Sequence, residues 1–408
     1  MMGCDVFVLP QGIPCYVFAR KGYHKKSAAL VVRYGAEHFA YQMGARTIMH
    51  PPGIAHFLEH KLFDAPSSLS GNRFADFAAL GATVNAYTQH AHTTYYTEGA
   101  DNFPQVLQML LRMVIAPHIT PQGVEKEQGI IAEEIAMYGA SPHWRAVNGL
   151  FRALFTRHPV RESILGSPQD IAGITAQALL ECHGHQYVAQ NMALVCAGDL
   201  SVGQVADALA QVAVPVAETL PTPLPVEEPP HAHAFCQEAA PNGGPPVFQL
   251  GVKRMGPTTP QQYATALLLV DMLVGESAPL YQQLYTAGYI NRDFTAAYVP
   301  GHGYGVFMFG GSLLGDAARI QHAFWEAVAR AQREGLCPQR FGILRRKHAG
   351  LWLRQHNVLA QHLFSQANFF ATFGPRHQGF FSTDMPRVFA HLRREDAEAA
   401  LCRWFTKI

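Results

Sequence analysis

Two histidines and a glutamate, in the order His56-Phe57-Leu58-Glu59-His60, stand in an apolar segment that predicts a helix. At about 100° of turn per residue the two imidazoles share one helix face, with Glu59 on the same arc. This arrangement supplies two nitrogen ligands for a divalent metal such as zinc, together with a carboxylate able to take a proton from a metal-bound water. The order His-x-x-Glu-His is the inverted form of a common zinc motif. Histidine is plentiful here, 21 of 408 residues. A short match also arises by chance, so a third ligand has to be found elsewhere.

The segment from Val124 to Tyr138 offers one. It predicts a helix in which Ile130, Ile131, Met137 and Tyr138 form an apolar stripe, with Glu134 in its middle. A carboxylate held there is desolvated at a cost of several kcal/mol unless a cation meets it. Glu127 lies two turns earlier on the same face, and Glu133, one residue off the stripe, reads as solvated. Two glutamates reaching water at a helix edge is the competing reading of this helix taken alone.

The elements that must position these groups alternate along the chain. Apolar runs at Ala28 to Tyr34 and Met192 to Gly198 predict strands, and helices are predicted at Arg73 to Leu80, Phe103 to Ile115 and Pro121 to Tyr138. A second series follows, with strands at Val247 to Val252 and Tyr304 to Gly310 and helices at Tyr263 to Val274 and Ala317 to Arg333. Between them Val214 to Pro246 is rich in proline and reads as extended linker; His231, His233 and Cys236 within it read as solvated rather than as a second metal site. The chain therefore divides into residues 1–213, a linker 214–246 and residues 247–408. Each half is α+β, a mixed sheet with helices packed on one face.

Composition narrows the function. Half of the residues are hydrophobic and the formal net charge is +1, which gives no reason to expect nucleic acid or an anionic membrane as partner. No apolar stretch is long enough to cross a bilayer and the N-terminus lacks a signal peptide, so a cytoplasmic protein is expected. Seven scattered cysteines without a Cys-x-x-Cys pair predict reduced thiols.

His56 to His60, followed 74 residues after the second histidine by Glu134, resembles the zinc motif of the pitrilysin, insulin-degrading enzyme and mitochondrial processing peptidase family. Asn85-Ala86-Tyr87-Thr88, His92-Thr93-Thr94-Tyr95-Tyr96, the run from Glu125 to Arg145 and His158-Pro159-Val160 are similar to a bacterial subgroup whose genes often occur in pairs. The resemblance implies a zinc endopeptidase with one zinc held by His56, His60 and Glu134. It makes Glu59 the general base and Glu127 a supporting carboxylate close to the site. It also makes the strand bearing Asn85 and Ala86 the sheet edge on which an extended peptide is held. Two homologous domains would form one half of a clam-shaped chamber, closed by a second half.

The chain departs from that pattern at one place. Competent family members carry an Arg and, seven residues later, a Tyr in the second half of the chamber. Here Tyr285 stands where the Arg is expected and Arg292 where the Tyr is expected. The expected partner is a homologous subunit supplying the Arg and Tyr in a heterodimer, with a homodimer as the alternative, and the expected substrates are short or unfolded peptides, leader segments among them. A non-catalytic structural or assembly subunit of the same fold is the alternative function.

Overall fold

Ala28-Ala29-Leu30-Val31-Val32 and Met192-Ala193-Leu194-Val195-Cys196-Ala197 contain no charged residue, as strands covered on both faces require. A computed structural model of the chain, which describes residues 4–64, 72–240, 243–374 and 381–406, pairs them at the centre of a sheet. The strands of the first half are β1 (Asp5–Val8), β2 (Pro14–Ala19), β3 (Lys26–Val32), β4 (Ala40–Met43), β5 (Arg46–Met49), β6 (Ala82–Thr88), β7 (Thr93–Gly99) and β8 (Met192–Gly198). Six of them form one sheet in the order β1-β2-β8-β3-β7-β6. The β2–β8 pair is parallel and the other pairs are antiparallel, so the sheet is mixed as expected. The short strand β9 (Thr222–Pro223) pairs with the β4–β5 hairpin.

The chain forms two compact units. The first comprises residues 1–135, 162–225 and 355–382, and the second 136–161, 226–354 and 383–408. Each draws a helix from the other half of the sequence. In the first unit, helices α1 (Ile54–Lys61), α2 (Arg73–Ala79) and α3 (Phe103–Ile115) belong to the core on one face of the sheet, where Leu30, Val32 and Leu194 meet Phe57, Leu58, Phe77 and Leu110. The other face, bearing Ala29, Val31, Ala193 and Val195, is covered by the helix Leu359–Phe373 from near the C-terminus. Covering on both faces, rather than one, explains why the central strands carry no polar alternation.

After helix α4 (Pro121–Gly139) comes α5 (Pro142–Leu154), started by Pro142 and by Ser141, whose hydroxyl accepts from the Trp144 N–H. In the second unit, β10 (His231–Glu238), β11 (Val247–Met255), β12 (Thr295–Gly301) and β13 (Tyr304–Ser312) form an antiparallel sheet in the order β10-β11-β13-β12. Leu150 and Leu154 of α5 pack on one of its faces with Tyr304 and Val306.

The Pro-rich segment is not extended linker throughout. No proline falls between Pro230 and Pro241, and the first eight residues of that gap, all with N–H donors, pair along their whole length with β11. His231, His233 and Cys236 are therefore strand residues. Glu228, within the same segment, is an anchor: its side chain is 1% exposed, bonds Lys253 of β11 at 2.9 Å and accepts from the backbone N–H groups of Thr156, Arg157 and His158. Although burial opposes ionisation, those donors hold its carboxyl down at about 2. Among the described residues, no helix is long and apolar enough to cross a membrane, and no disulfide joins the cysteines.

Placement of α1 depends on a close approach. Gly53, its N-cap, has φ +87, and a Cβ there would come within 2.6 Å of the Leu165 carbonyl oxygen. Gly22 has φ +85 but nothing within 4 Å of its would-be Cβ. Gly53→Ala should therefore destabilise the chain by at least about 2 kcal/mol, and Gly22→Ala by about 1 kcal/mol, since only the former adds a collision to the backbone strain. Equal losses in denaturant unfolding would contradict this account of α1. Glu228→Gln should cost about 3–5 kcal/mol, because it leaves the Lys253 ammonium buried without its counter-charge. The native carboxyl lies below its ordinary value of 4.5, so its contribution is complete above that pH and is lost as pH falls toward about 2. Stability measured across this window should fall less steeply in the variant than in the parent.

Candidate metal centre

Helix α1 is short and almost wholly buried, yet only half of its eight residues are apolar. His56, Glu59 and Lys61 are buried with Ile54, Ala55, Phe57 and Leu58, and His60 is partly exposed. Each polar group therefore needs a partner from a neighbouring element. Most of those partners come from α4. Val124 and Ile131 turn into the core, and Glu127 and Glu134 lie along the border of that face. The stripe expected from the sequence is not the buried one: Ile130, Met137 and Tyr138 are exposed, and of the four apolar residues only Ile131 is covered. Glu134 is consequently half-buried at the margin of the core. The seven-residue spacing that puts Glu127 and Glu134 on one face holds, and Glu133 is exposed as expected.

The Nε2 atoms of His56 and His60 lie 3.7 and 3.6 Å from Oε2 of Glu134. These separations are too long for hydrogen bonds. They suit ligands sharing one ion, because two atoms bound to a tetrahedral zinc at about 2.0–2.1 Å lie about 3.3 Å apart. The three ligand atoms all fall within 4.8 Å of one another. Burial, aided by the neighbouring His60, holds the His56 imidazole down at about 3, so it stays neutral with a lone pair to offer. Two imidazoles and one carboxylate are a donor set that zinc accepts.

His60 is fixed from behind. Its Nδ1 is 3.0 Å from Glu127 Oε1. Burial alone would lower the His60 pKa, but the Glu127 hydrogen bond and the charges of Glu59, Glu127 and Glu134 raise it. Correspondingly, burial would raise the Glu127 carboxyl, and the hydrogen bond and charges of His60 and Lys61 hold it below the usual range. A carboxylate on Nδ1 selects the tautomer whose Nε2 is free to bind metal.

Glu59 points to another partner. Thr88, at the end of β6, donates its hydroxyl proton to Oε2 at 2.5 Å. Burial pushes the Glu59 carboxyl above its ordinary value, with a smaller push from Glu134, against the pull of the Thr88 hydrogen bond and His60. Thr88 ends the Asn85–Thr88 motif and the buried Lys61 directly follows His60, but no spacing rule marks either. Their roles follow from contacts across β6 and α4 that a local pattern does not encode. β6 itself is the terminal strand of its sheet, with β7 as its one ladder partner among the described residues. Asn85 is exposed there and its Oδ1 accepts the Ala86 N–H at 2.8 Å.

Residues 48–168 match the family model for insulinase (peptidase family M16), and residues 173–347 match the one for the peptidase M16 inactive domain. The chain is 30% identical over 359 residues to the uncharacterized zinc protease YmfH of Bacillus subtilis (strain 168), covering 86% of this chain and 83% of that one. It is similar to the crystal structure of an M16-like peptidase from Alicyclobacillus acidocaldarius, with TM-score 0.88, 29% identity, and coverage of 98% of this chain and 94% of that one. It also shares its fold with pitrilysin, at TM-score 0.77 and 18% identity, covering 99% of this chain and 44% of that one. His56, Glu59, His60, Glu127 and Glu134 all fall in the first matched segment. The chain belongs to peptidase family M16, the insulinase and pitrilysin-like peptidases.

Proposed function

We propose that this chain is the zinc-bearing subunit of an endopeptidase that hydrolyses short or unfolded peptides, leader segments among them, and that a homologous partner completes it. The observation that carries this reading is the convergence of His56 Nε2 and His60 Nε2 on the Glu134 carboxylate, with Glu59 on the same short helix. His56, His60 and Glu134 would hold one zinc, whose Lewis acidity acidifies a water and polarises a peptide carbonyl. Glu59 Oε2 is taken by Thr88, which leaves Oε1 to receive the proton of the attacking water and to return it to the departing amine. Burial, which raises its pKa, makes it a stronger base than a solvated carboxylate. Glu127 keeps His60 Nε2 turned toward the other ligands.

Substrate binding is assigned to the free edge of β6. An extended peptide adds a strand there by main-chain hydrogen bonds, and one that pairs at Ala86 takes that N–H from the Asn85 carboxamide. Such binding favours unfolded segments over particular side chains. The family matches to bacterial zinc proteases support the peptidase reading, and seven scattered cysteines with no disulfide among the described residues suit a reducing, cytoplasmic setting.

The partner is argued from Tyr285 and Arg292. Both are exposed, and their order is reversed relative to the Arg and Tyr that competent family members carry, so this chain lacks that pair for steadying the developing oxyanion. Loss of one such donor costs about a hundredfold or more in rate.

The purified chain should hold one zinc, and His60→Ala or Glu134→Ala should release it; unchanged metal content in both variants would remove the ligand assignment. Glu59→Gln should keep the metal while peptide hydrolysis drops by about two orders of magnitude or more. Full turnover by that zinc-replete variant would exclude Glu59 as base. The chain alone should cleave peptides weakly, and adding a homologous subunit that bears the Arg and Tyr should raise the rate at least about tenfold. Full activity of the isolated chain, abolished by Glu59→Gln, would instead show a self-sufficient enzyme.

A further inference from the structure

We infer that Lys61 is a positioning residue for the metal centre, clamping the one carboxylate that orients His60; the inference rests on the zinc reading above. Lys61 is 1% exposed, among the largest fully buried side chains of the protein. A buried ammonium persists only when oxygens surround it. Here they are the Asp64 carboxylate, the Gly123 carbonyl at 3.0 Å and Glu127 Oε2 at 3.5 Å.

The last contact is the informative one. Glu127 turns Oε2 to Lys61 and Oε1 to His60 Nδ1. Consecutive residues on a helix diverge by about 100°, so Lys61 and His60 reach this carboxylate from different sides. Held at both oxygens, it has little freedom to rotate. Without the ammonium, Oε2 would be a half-buried anionic oxygen, and its nearest remedy would be to leave His60 for the metal. Lys61 thus serves two ends at once: it fixes the His60 tautomer and keeps Glu127 out of the ligand set.

The approach of the ammonium has been given room. A Cβ on Gly123, in the first turn of α4, would lie 3.2 Å from Lys61 Nζ, 3.0 Å from Thr120 Oγ1 and 3.4 Å from Asp64 Oδ2. Gly123 has an ordinary backbone conformation, so what its missing side chain provides is this space.

A double-mutant cycle on zinc affinity separates positioning from mere packing. The full chain, Lys61→Met, Glu127→Gln and the double variant are titrated with zinc against a chromophoric chelator, and the metal-free forms are melted alongside. Lys61→Met should weaken zinc by about 10- to 100-fold, the effect common to groups that orient metal-bound histidines. In the Glu127→Gln background, where no carboxylate remains to be clamped, the same change should alter affinity by less than about threefold, because coupled residues are not additive. An equal factor in both backgrounds, or no effect in either, overturns the inference while leaving the zinc reading intact. A parent chain that takes up no zinc overturns both. Should Lys61→Met fail to fold, Gly123→Ala carries the same cycle, since its methyl, 3.2 Å from Nζ, presses on the ammonium and shifts it off Glu127: affinity should fall in the parent background and not in Glu127→Gln, and an equal fall in both would be contrary.

Discussion

The structure depends on one awkward requirement: a short helix with almost no access to solvent carries two histidines, a glutamate and a lysine. Burying such groups costs several kcal/mol apiece unless each finds a partner. The first unit supplies one for each except His56, whose Nδ1 has no hydrogen bond among the described residues. Glu127 serves His60 and Lys61 together, Thr88 serves Glu59, and Asp64 and Gly123 complete the surroundings of Lys61. The site's geometry is therefore a consequence of satisfying α1. Gly53 sets where that helix begins, and α4 is held beside it by the same contacts that orient the ligands.

The hydrogen bond between Thr88 and Glu59 has a further consequence. Thr88 is the last residue of the edge strand to which peptide binding is assigned, and Glu59 is the proposed base. Strand and proposed base are thus in direct contact, so a peptide added in register on β6 would also be placed in register with Glu59. Catalysis by positioning needs reacting groups held to within a fraction of an ångström. A sheet edge bonded to a buried helix is suited to that task.

Much of this was legible in the sequence for particular reasons. The His-x-x-Glu-His spacing is local, so helix geometry alone puts the ligands on one face, and the spacing of Glu127 and Glu134 does the same on α4. The strands β3, β8 and β13 and the helices α3 and α4 announced themselves by continuous or periodic apolar residues. The apolar stripe expected on α4 failed because Ile130, Met137 and Tyr138 are exposed, and periodicity shows that a face is apolar without showing what lies against it. β10 and Glu228 were hidden by prolines on both sides, although none lies between Pro230 and Pro241. Lys61 and Thr88 act through contacts with residues 66 and 29 positions away, and no local pattern encodes those distances. The exchange of α5 and the helix Leu359–Phe373 between the two units is a matter of topology for the same reason.

The central claim is that His56, His60 and Glu134 form one zinc site whose geometry is already set by the folded chain. Its most direct test is anomalous diffraction at the zinc absorption edge from crystals of the zinc-loaded Glu59→Gln protein. The account predicts a single strong peak bonded to Nε2 of both histidines and to the Glu134 carboxylate, with Glu127 still on His60 Nδ1. A peak bonded through Nδ1, a metal held by Glu127 instead of Glu134, or zinc bound only elsewhere in the chain would contradict it.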